Sequence, residues 1–342
     1  MSNLFIIIIV YTIAASSESW LVNWLKLLYS IELPIFVTII LSSSWPIQLI
    51  QYLIANQNYL KENGEKRIIT PIMARNYIIL GLLASFVSIT KVSGLTTLPV
   101  VIYSIASNTE IVFETIMTVI VLKRTVSYLQ IISVILVCMG VIISVYNPVS
   151  KMWGDNETVT KRELIIGLIL TISSRFASSL NSILADKFLK IDSRSYMGCL
   201  ECAVANSMIP FFILPTILIF IPEYNSWNEL RGTASGTCII TLILIALSIT
   251  KYADRLSKFF ILSSTSTMYF AAIDSNMKVV SGIGAFFFFG EIYYWPQILG
   301  FILIIVALII MYYDRMITSD QHQKYTPIPN NDDNEKDIYM KE

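Results

Sequence analysis

Long apolar segments dominate this chain, and short polar breaks separate them at intervals of about 20 residues. A helix of that length crosses the hydrocarbon core of a bilayer, which is about 30 Å thick. Only 14% of the residues are charged and the mean hydropathy is +0.66, whereas soluble domains contain about 25% charged residues. These properties predict an all-α membrane protein.

Ten segments qualify as transmembrane helices. The first could instead be a signal peptide, but it lacks a basic start and contains Glu18, so we predict a retained helix. The ten predicted helices span residues 4–25, 34–55, 76–95, 97–122, 126–146, 164–186, 196–221, 236–253, 259–289 and 293–313.

Two short motifs recur in the second half of the chain. TIAASSESWLVNWL, from Thr12, resembles TISSRFASSLNSIL, from Thr171. The motif SITK ends at both Lys91 and Lys251. These offsets pair helix one with helix six and helix three with helix eight. Because five is an odd number, a second five-helix copy would be inverted in the membrane, as in many secondary transporters.

The predicted architecture is therefore ten transmembrane helices arranged as two inverted five-helix repeats. The repeats occupy residues 1–146 and 164–313, and residues 147–163 form an outer or lumenal loop between them. Residues 314–342 contain too little apolar sequence to fold alone, so they are predicted to be a disordered cytoplasmic tail.

The loop charges indicate the orientation, because short loops rich in Lys and Arg stay in the cytoplasm. With the N-terminus inside, the inner loops and the near part of the tail hold fourteen Lys and Arg residues, and the outer loops hold six. Both termini are therefore predicted to be cytoplasmic, which places the sequon at Asn156 on the outer or lumenal side as a glycosylation candidate. The sequence leaves open a plasma-membrane or an endomembrane location (Golgi or vacuole), and also a homodimer.

Several functional classes are excluded by composition. The only histidine, His322, lies in the polar tail, and no nucleophile or phosphate-loop motif appears, so we predict no enzyme activity. The four cysteines lie inside apolar segments, so neither a metal site nor another cofactor is predicted. The formal net charge is zero and no basic patch is interleaved with aromatic residues, so nucleic acid is not a predicted partner.

Six ionisable residues lie inside the predicted helices, where such groups are costly and usually functional. Glu110 and Glu114 are four residues apart, as are Asp274 and Lys278, so each pair occupies one helical face. In a five-plus-five repeat, helices four and nine correspond, and both pairs would line one cavity near the midplane. The six residues are Glu18, Glu110, Glu114, Arg175, Asp274 and Lys278.

Four acids against two bases predict an acidic cavity. Burial and like-charge neighbours favour a protonated carboxyl, so Glu110 and Glu114 are candidates to accept protons or substrate. Asp274 and Lys278 are candidates for a switchable ion pair. The alternatives are that these two only neutralise each other, that Arg175 locks two helices together, or that Arg175 or Lys278 holds an anionic group.

Two aromatic residues, Trp45 and Tyr103, lie within predicted helices and are candidates to stack on a planar ligand; ordinary helix packing is the alternative.

Several motifs resemble those of one transporter family. GLTTLPVVIYSIASNTEIVFET, at Gly94–Thr115, resembles the fourth-helix region of the plant-type purine permeases, and SSWPIQLI, at Ser43–Ile50, is similar to their second helix. FFGE, ending at Glu291, looks like the close of helix nine in the drug/metabolite transporter superfamily, and IIGLILTISS, at Ile165–Ser174, is a looser match to helix six.

This resemblance implies a secondary active transporter of small organic solutes. It implies proton-coupled movement of purine nucleobases or similar nitrogen heterocycles by alternating access, with the substrate, protons and the lipid bilayer as partners. The chain departs from the family pattern at Glu110 and Glu114, where the family tends to carry amides.

A second resemblance competes with the first. ASSESWLVNW and LPIFVTIILSS look like the vacuolar and orphan branch of solute carrier family 35, and SNMKVV is similar to its nucleotide-sugar carriers. That resemblance implies an antiporter in which Lys278 and Arg175 contact phosphate. A non-transporting membrane scaffold or receptor is a further alternative.

Overall fold

Helices make up all the regular structure that the computed structural model describes, at residues 2–29, 33–64, 67–151, 161–191, 195–220, 234–265, 267–290 and 294–322. The helices are α1 (Ser2–Tyr29), α2 (Pro34–Ser42), α3 (Trp45–Asn63), α4 (Pro71–Thr97), α5 (Val100–Ser107), α6 (Thr109–Leu122), α7 (Tyr128–Lys151), α8 (Lys161–Ile191), α9 (Tyr196–Phe220), α10 (Ala234–Ser264), α11 (Thr267–Phe289) and α12 (Trp295–His322).

Eight helical stretches within the described residues are long and apolar enough to cross a membrane. The prediction of an all-α, multi-pass membrane protein is thereby confirmed. The pairs α2 with α3 and α5 with α6 each form one such stretch, interrupted at a short break. Helices α10 and α11 correspond to the eighth and ninth predicted spans but are not among the eight stretches, and both carry charged residues in their middle parts.

The break between α5 and α6 lies in the middle of a span, at the buried residue Asn108. The Asn108 side chain donates a hydrogen bond to the carbonyl of Ser104 at 2.9 Å, so it competes with the regular helical pattern. A new helix N-terminus therefore begins at Thr109, directly before Glu110. Such a break is tolerated at membrane depth only where protein surrounds the freed backbone groups.

Helix α10 corrects one predicted boundary. The eighth predicted span ends at 253 and the ninth begins at 259, but α10 continues to Ser264. No Gly or Pro occurs between Thr250 and Ser264 to end the helix. Lys251, Arg255 and Lys258, which are counted with the inner-loop charges in the sequence analysis, therefore lie inside α10.

Lys91, which is counted with the outer-loop charges although the third predicted span contains it, likewise lies inside α4. At the other end of the chain, α12 continues to His322, although a disordered tail was predicted from Asp314 onward. The sequon at Asn156 lies outside the described residues, and its glycosylation stays a prediction.

The helices pack in a pattern that surrounds the centre of the molecule. Helix α1 packs against α10 and α11, and α8 packs against α4 and α6. Helix α7 packs along α12, and α9 packs against α2, α3 and α4. Large exposed side chains such as Phe287 and Ile142 cover the outer surface, as expected for lipid contact.

Two glycines allow the close approach of α7 and α12. A Cβ atom at Gly300 would lie 2.5 Å from the carbonyl oxygen of Gly140, which is far inside van der Waals contact. Association of membrane helices depends on such close packing because lipid tails are as apolar as the helices themselves.

We expect Gly300→Ala to separate α7 from α12 and to lower the stability of the protein by about 1–3 kcal/mol, the usual cost of overpacking. Thermal unfolding of the detergent-solubilised variant measures this loss. Val306→Leu, which enlarges an exposed side chain on the same helix, is the matched control. Equal unfolding temperatures for both variants would contradict the assignment.

Candidate functional site

A polar cavity of about 80 Å³ lies among α1, α4, α6, α8, α9, α10 and α11. Its walls carry charged side chains together with serine, asparagine, tyrosine and phenylalanine. At membrane depth such groups need partners, so the contacts between them define the site. The charged residues that line it are Lys91, Glu110, Arg175, Lys251, Asp254, Arg255, Lys258 and Asp274.

Glu110 joins three helices through one carboxylate. Its Oε2 atom accepts hydrogen bonds from Lys278 Nζ of α11 at 2.7 Å and from Arg175 Nη1 of α8 at 3.1 Å. All three side chains are almost fully buried. Glu110 also stands in the first turn of α6, where the helix dipole stabilises a negative charge.

The Asp274–Lys278 pair is part of this network. Lys278 Nζ lies 2.5 Å from Asp274 Oδ2, so it bridges Asp274 and Glu110. Tyr11 of α1 donates its hydroxyl to Asp274 Oδ1 at 2.6 Å. The predicted pairing of Asp274 with Lys278 is therefore present, and it connects α11 to α1 and α6.

Tyr103 contacts Arg175. The guanidinium donates to the Tyr103 hydroxyl oxygen, and its central carbon lies 5.4 Å from the centroid of the Tyr103 ring. Trp45 lies apart from the cavity, where it packs against Phe211 and Phe212. Of the two aromatic candidates, the structure thus brings only Tyr103 close to the charged cluster.

Glu18 joins three other helices. Its Oε1 atom lies 2.9 Å from Lys91 Nζ of α4, and its Oε2 atom lies 3.1 Å from Lys251 Nζ of α10. Lys251 also contacts Asp254 at 2.7 Å. The two lysines are those that end the two SITK motifs, so both copies of this motif meet at one carboxylate.

Glu114 differs from the other acids because neither of its carboxyl oxygens has a hydrogen-bond partner within the described residues. Its side chain is fully buried and lies outside the cavity wall. Glu110, Asp274, Lys258 and Lys278 are close enough to act on its charge. Of the two acids predicted on one helical face, Glu110 is therefore a paired carboxylate, and Glu114 is a carboxyl group without a partner among the described residues.

The cavity is not acidic, and this expectation is wrong. Five basic side chains line it against three acidic ones. Lys91, Lys251, Arg255 and Lys258 are absent from the predicted site because they were counted with the loop charges. The spacing of residues 251, 254, 255 and 258 puts these charges on one helical face, which was the signal available in the sequence.

Two asparagines supply neutral hydrogen-bonding groups. Asn206 of α9 donates to Asn181 Oδ1 of α8 at 3.4 Å, and Asn181 donates to the carbonyl of Leu80 at 2.9 Å. The Asn206 Oδ1 atom has no hydrogen-bond partner among the residues described. It is therefore an unused acceptor at the cavity wall.

Across the part of the chain that the structure describes, no cluster of three or more His, Cys, Asp or Glu side chains is arranged to hold a metal ion.

Comparisons with known proteins agree with a membrane transporter. The sequence model of a family described as purine nucleobase transmembrane transport matches residues 4–321. One solved crystal structure of a protein has a TM-score of 0.59 and 11% sequence identity, over 91% of this chain and 96% of that one. At this identity the likeness shows the fold alone. No curated protein sequence matches the chain.

We expect Glu18→Gln to destabilise the protein, because Lys91 and Lys251 would both lose their buried carboxylate. Breaking a buried ion pair from one side costs about 3–5 kcal/mol. Lys190→Gln removes a partly exposed partner of Asp186 and serves as the control, with an expected loss of about 0–1 kcal/mol. Thermal unfolding in detergent compares the two, and equal losses would show that the Glu18 contacts are unimportant for stability.

Proposed function

Because the chain belongs to the family described as purine nucleobase transmembrane transport, we propose that it is a secondary active transporter that carries purine nucleobases through the central cavity by proton-coupled alternating access. The observation that carries the proposal is the buried polar cavity within a bundle of membrane-spanning helices. A charged cluster inside a membrane is expensive and is usually retained for function. This argues against a non-transporting scaffold.

The size of the cavity supports a conformational cycle. About 80 Å³ is room for two or three water molecules at about 30 Å³ each, whereas ligand sites commonly measure about 300–1,000 Å³. A purine therefore needs the surrounding helices to move apart before it can bind. Opening toward one face of the membrane at a time is the movement that alternating access requires.

The packing supports two related halves, which we propose to be the predicted inverted five-helix repeats. The proposed repeats pair α1 with α8, α4 with α10, α6 with α11 and α7 with α12. When each helix is replaced by its counterpart, the contact of α1 with α10 corresponds to the contact of α8 with α4. In the same way, the contact of α1 with α11 corresponds to the contact of α8 with α6. Helices α7 and α12 are counterparts of each other, and they also pack together. Rocking of one half against the other would break and remake the ion pairs of Glu18 and Glu110, which join helices of both halves.

The asparagines support a nucleobase as the substrate. An amide side chain offers a donor and an acceptor side by side, which matches the edge of a purine ring. The unused Asn206 Oδ1 atom would accept a hydrogen bond from a ring N–H or an exocyclic amine. The antiporter alternative assigned phosphate binding to Lys278 and Arg175, but both cations already contact Glu110. The purine interpretation therefore fits the contacts better.

Glu114 is the side chain that we propose to carry the coupled proton. A carboxylate charge buried without a partner is so costly that the group instead becomes a neutral acid. When the cavity opens and water reaches Glu114, hydration stabilises the charge and the proton can leave. Glu110 is less suited to this role, because its charge is already stabilised by two cations.

The orientation proposed from the sequence remains that of cytoplasmic termini. After Lys91, Lys251, Arg255 and Lys258 are removed from the loop counts, basic residues still favour the predicted inner side.

The first test is uptake of radiolabelled adenine by vesicles that contain the purified protein. We expect saturable uptake, and we expect Asn206→Leu to raise the KM for adenine about three- to tenfold, the usual effect of losing one hydrogen bond. Asn276→Leu is the control, because Asn276 contacts Tyr312 away from the cavity. Absence of adenine uptake by the unaltered protein would contradict the proposed substrate.

The second test separates coupling from transport. With an inward gradient of one pH unit, coupling to one proton should concentrate adenine about tenfold inside the vesicles. We expect Glu114→Gln to lose this accumulation and to keep adenine counterflow in the absence of a gradient, because the amide cannot release a proton. Accumulation that persists in Glu114→Gln would exclude Glu114 as the proton carrier.

A further inference from the structure

Two cations at the cavity wall lack an acidic partner. Glu18 binds Lys91 and Lys251, and Lys251 also binds Asp254. Glu110 binds Arg175 and Lys278, and Lys278 also binds Asp274. Four carboxylates are thus matched by four cations. Within the described residues, Arg255 and Lys258 have no carboxylate at ion-pair distance.

Arg255 is buried to about 95% and faces the cavity with an unsatisfied donor. Among the residues that the structure describes, its Nη1 atom has no hydrogen-bond partner, and its Nη2 atom has only a long contact of 3.4 Å with the hydroxyl oxygen of Ser42. A guanidinium presents its donors in a planar fork and cannot lose its charge in a protein. The side chain can therefore bind a further acceptor that no described residue supplies.

Lys258 lies one helical turn further along α10 and faces the same cavity. Its ammonium nitrogen is 5.3 Å from the centroid of the Phe270 ring. An aromatic ring compensates the positive charge of a cation above it only in part. The cavity wall thus presents the two cations Arg255 and Lys258 beside the flat, apolar ring of Phe270. This combination suits a planar anion.

We infer that, among purines, the site binds best one that carries a negative charge delocalised over ring nitrogen and oxygen atoms, an anionic oxopurine, and that Arg255 and Lys258 bind it. This inference rests on the proposed function, in which the cavity holds a purine. An anion would satisfy the free Arg255 donor and compensate both charges at once. A neutral aminopurine would leave both cations uncompensated in a site that closes away from water.

The test compares urate, which is an anion at neutral pH, with hypoxanthine, which is neutral and of similar shape. Initial uptake of each radiolabelled compound is measured in vesicles containing the full-length protein. We expect urate to be taken up faster than hypoxanthine at equal concentration. In Arg255→Gln and in Lys258→Gln we expect the ratio of urate to hypoxanthine uptake to fall about tenfold, the effect of losing one charge-assisted contact.

The control variant is Arg124→Gln, which removes a basic side chain that pairs with Asp186 outside the cavity and should leave the ratio unchanged. Hypoxanthine uptake in each variant reports whether that variant is folded. Arg255→Lys keeps the charge and should retain most of the preference for urate.

Each outcome separates this inference from the proposed function. Equal uptake of urate and hypoxanthine, unchanged in Arg255→Gln, would overturn the inference and leave purine transport standing. Inhibition of hypoxanthine uptake by adenosine monophosphate but not by urate would also overturn it, and would assign the two cations to a phosphate group. Absence of uptake for every purine would overturn the proposed function and the inference with it.

Discussion

The compensation of buried charge is the constraint on which the rest of this structure depends. In a membrane interior an ionised side chain cannot rely on water, so each must be matched by groups from neighbouring helices. Glu18 binds lysines from α4 and α10, and Glu110 binds cations from α8 and α11. These two carboxylates hold together helices that are far apart in sequence, and they set the positions of the cavity walls.

The buried polar groups without a partner stand out against this network of paired charges. Most buried polar groups in folded proteins have partners, so an exception calls for an explanation. Among the described residues, both carboxyl oxygens of Glu114, the Nη1 atom of Arg255 and the Oδ1 atom of Asn206 are buried without a hydrogen-bond partner, beside the paired charges of Glu18 and Glu110. A transporter needs such groups, because the proton and the substrate must supply the missing partners during the cycle.

Much of the site was visible in the sequence, but its charge balance was not. Glu110, Arg175, Asp274 and Lys278 were identified because a charge inside an apolar segment is conspicuous, and the structure brings them together. Lys251, Arg255 and Lys258 were missed because a dense group of charges resembles a loop. Helix α10 continues through them because no Gly or Pro ends it, and only the packing of the other helices decides which of its charges find a partner. The similarity to purine permeases came from motifs and is confirmed by the family match over residues 4–321; the resemblance to solute carrier family 35 remains a prediction.

The sequence by itself determined that this chain is helical, spans a membrane several times and carries ionisable residues at membrane depth. Apolar length and helical spacing decide those properties, and both are local. Only the tertiary structure decided which charges meet. Tyr11 and Asp274 bond across 263 positions of the chain, and Glu18 and Lys251 across 233. Coulombic compensation depends on distance in space, so the difference between a paired and an unpaired charge exists only once the helices have packed.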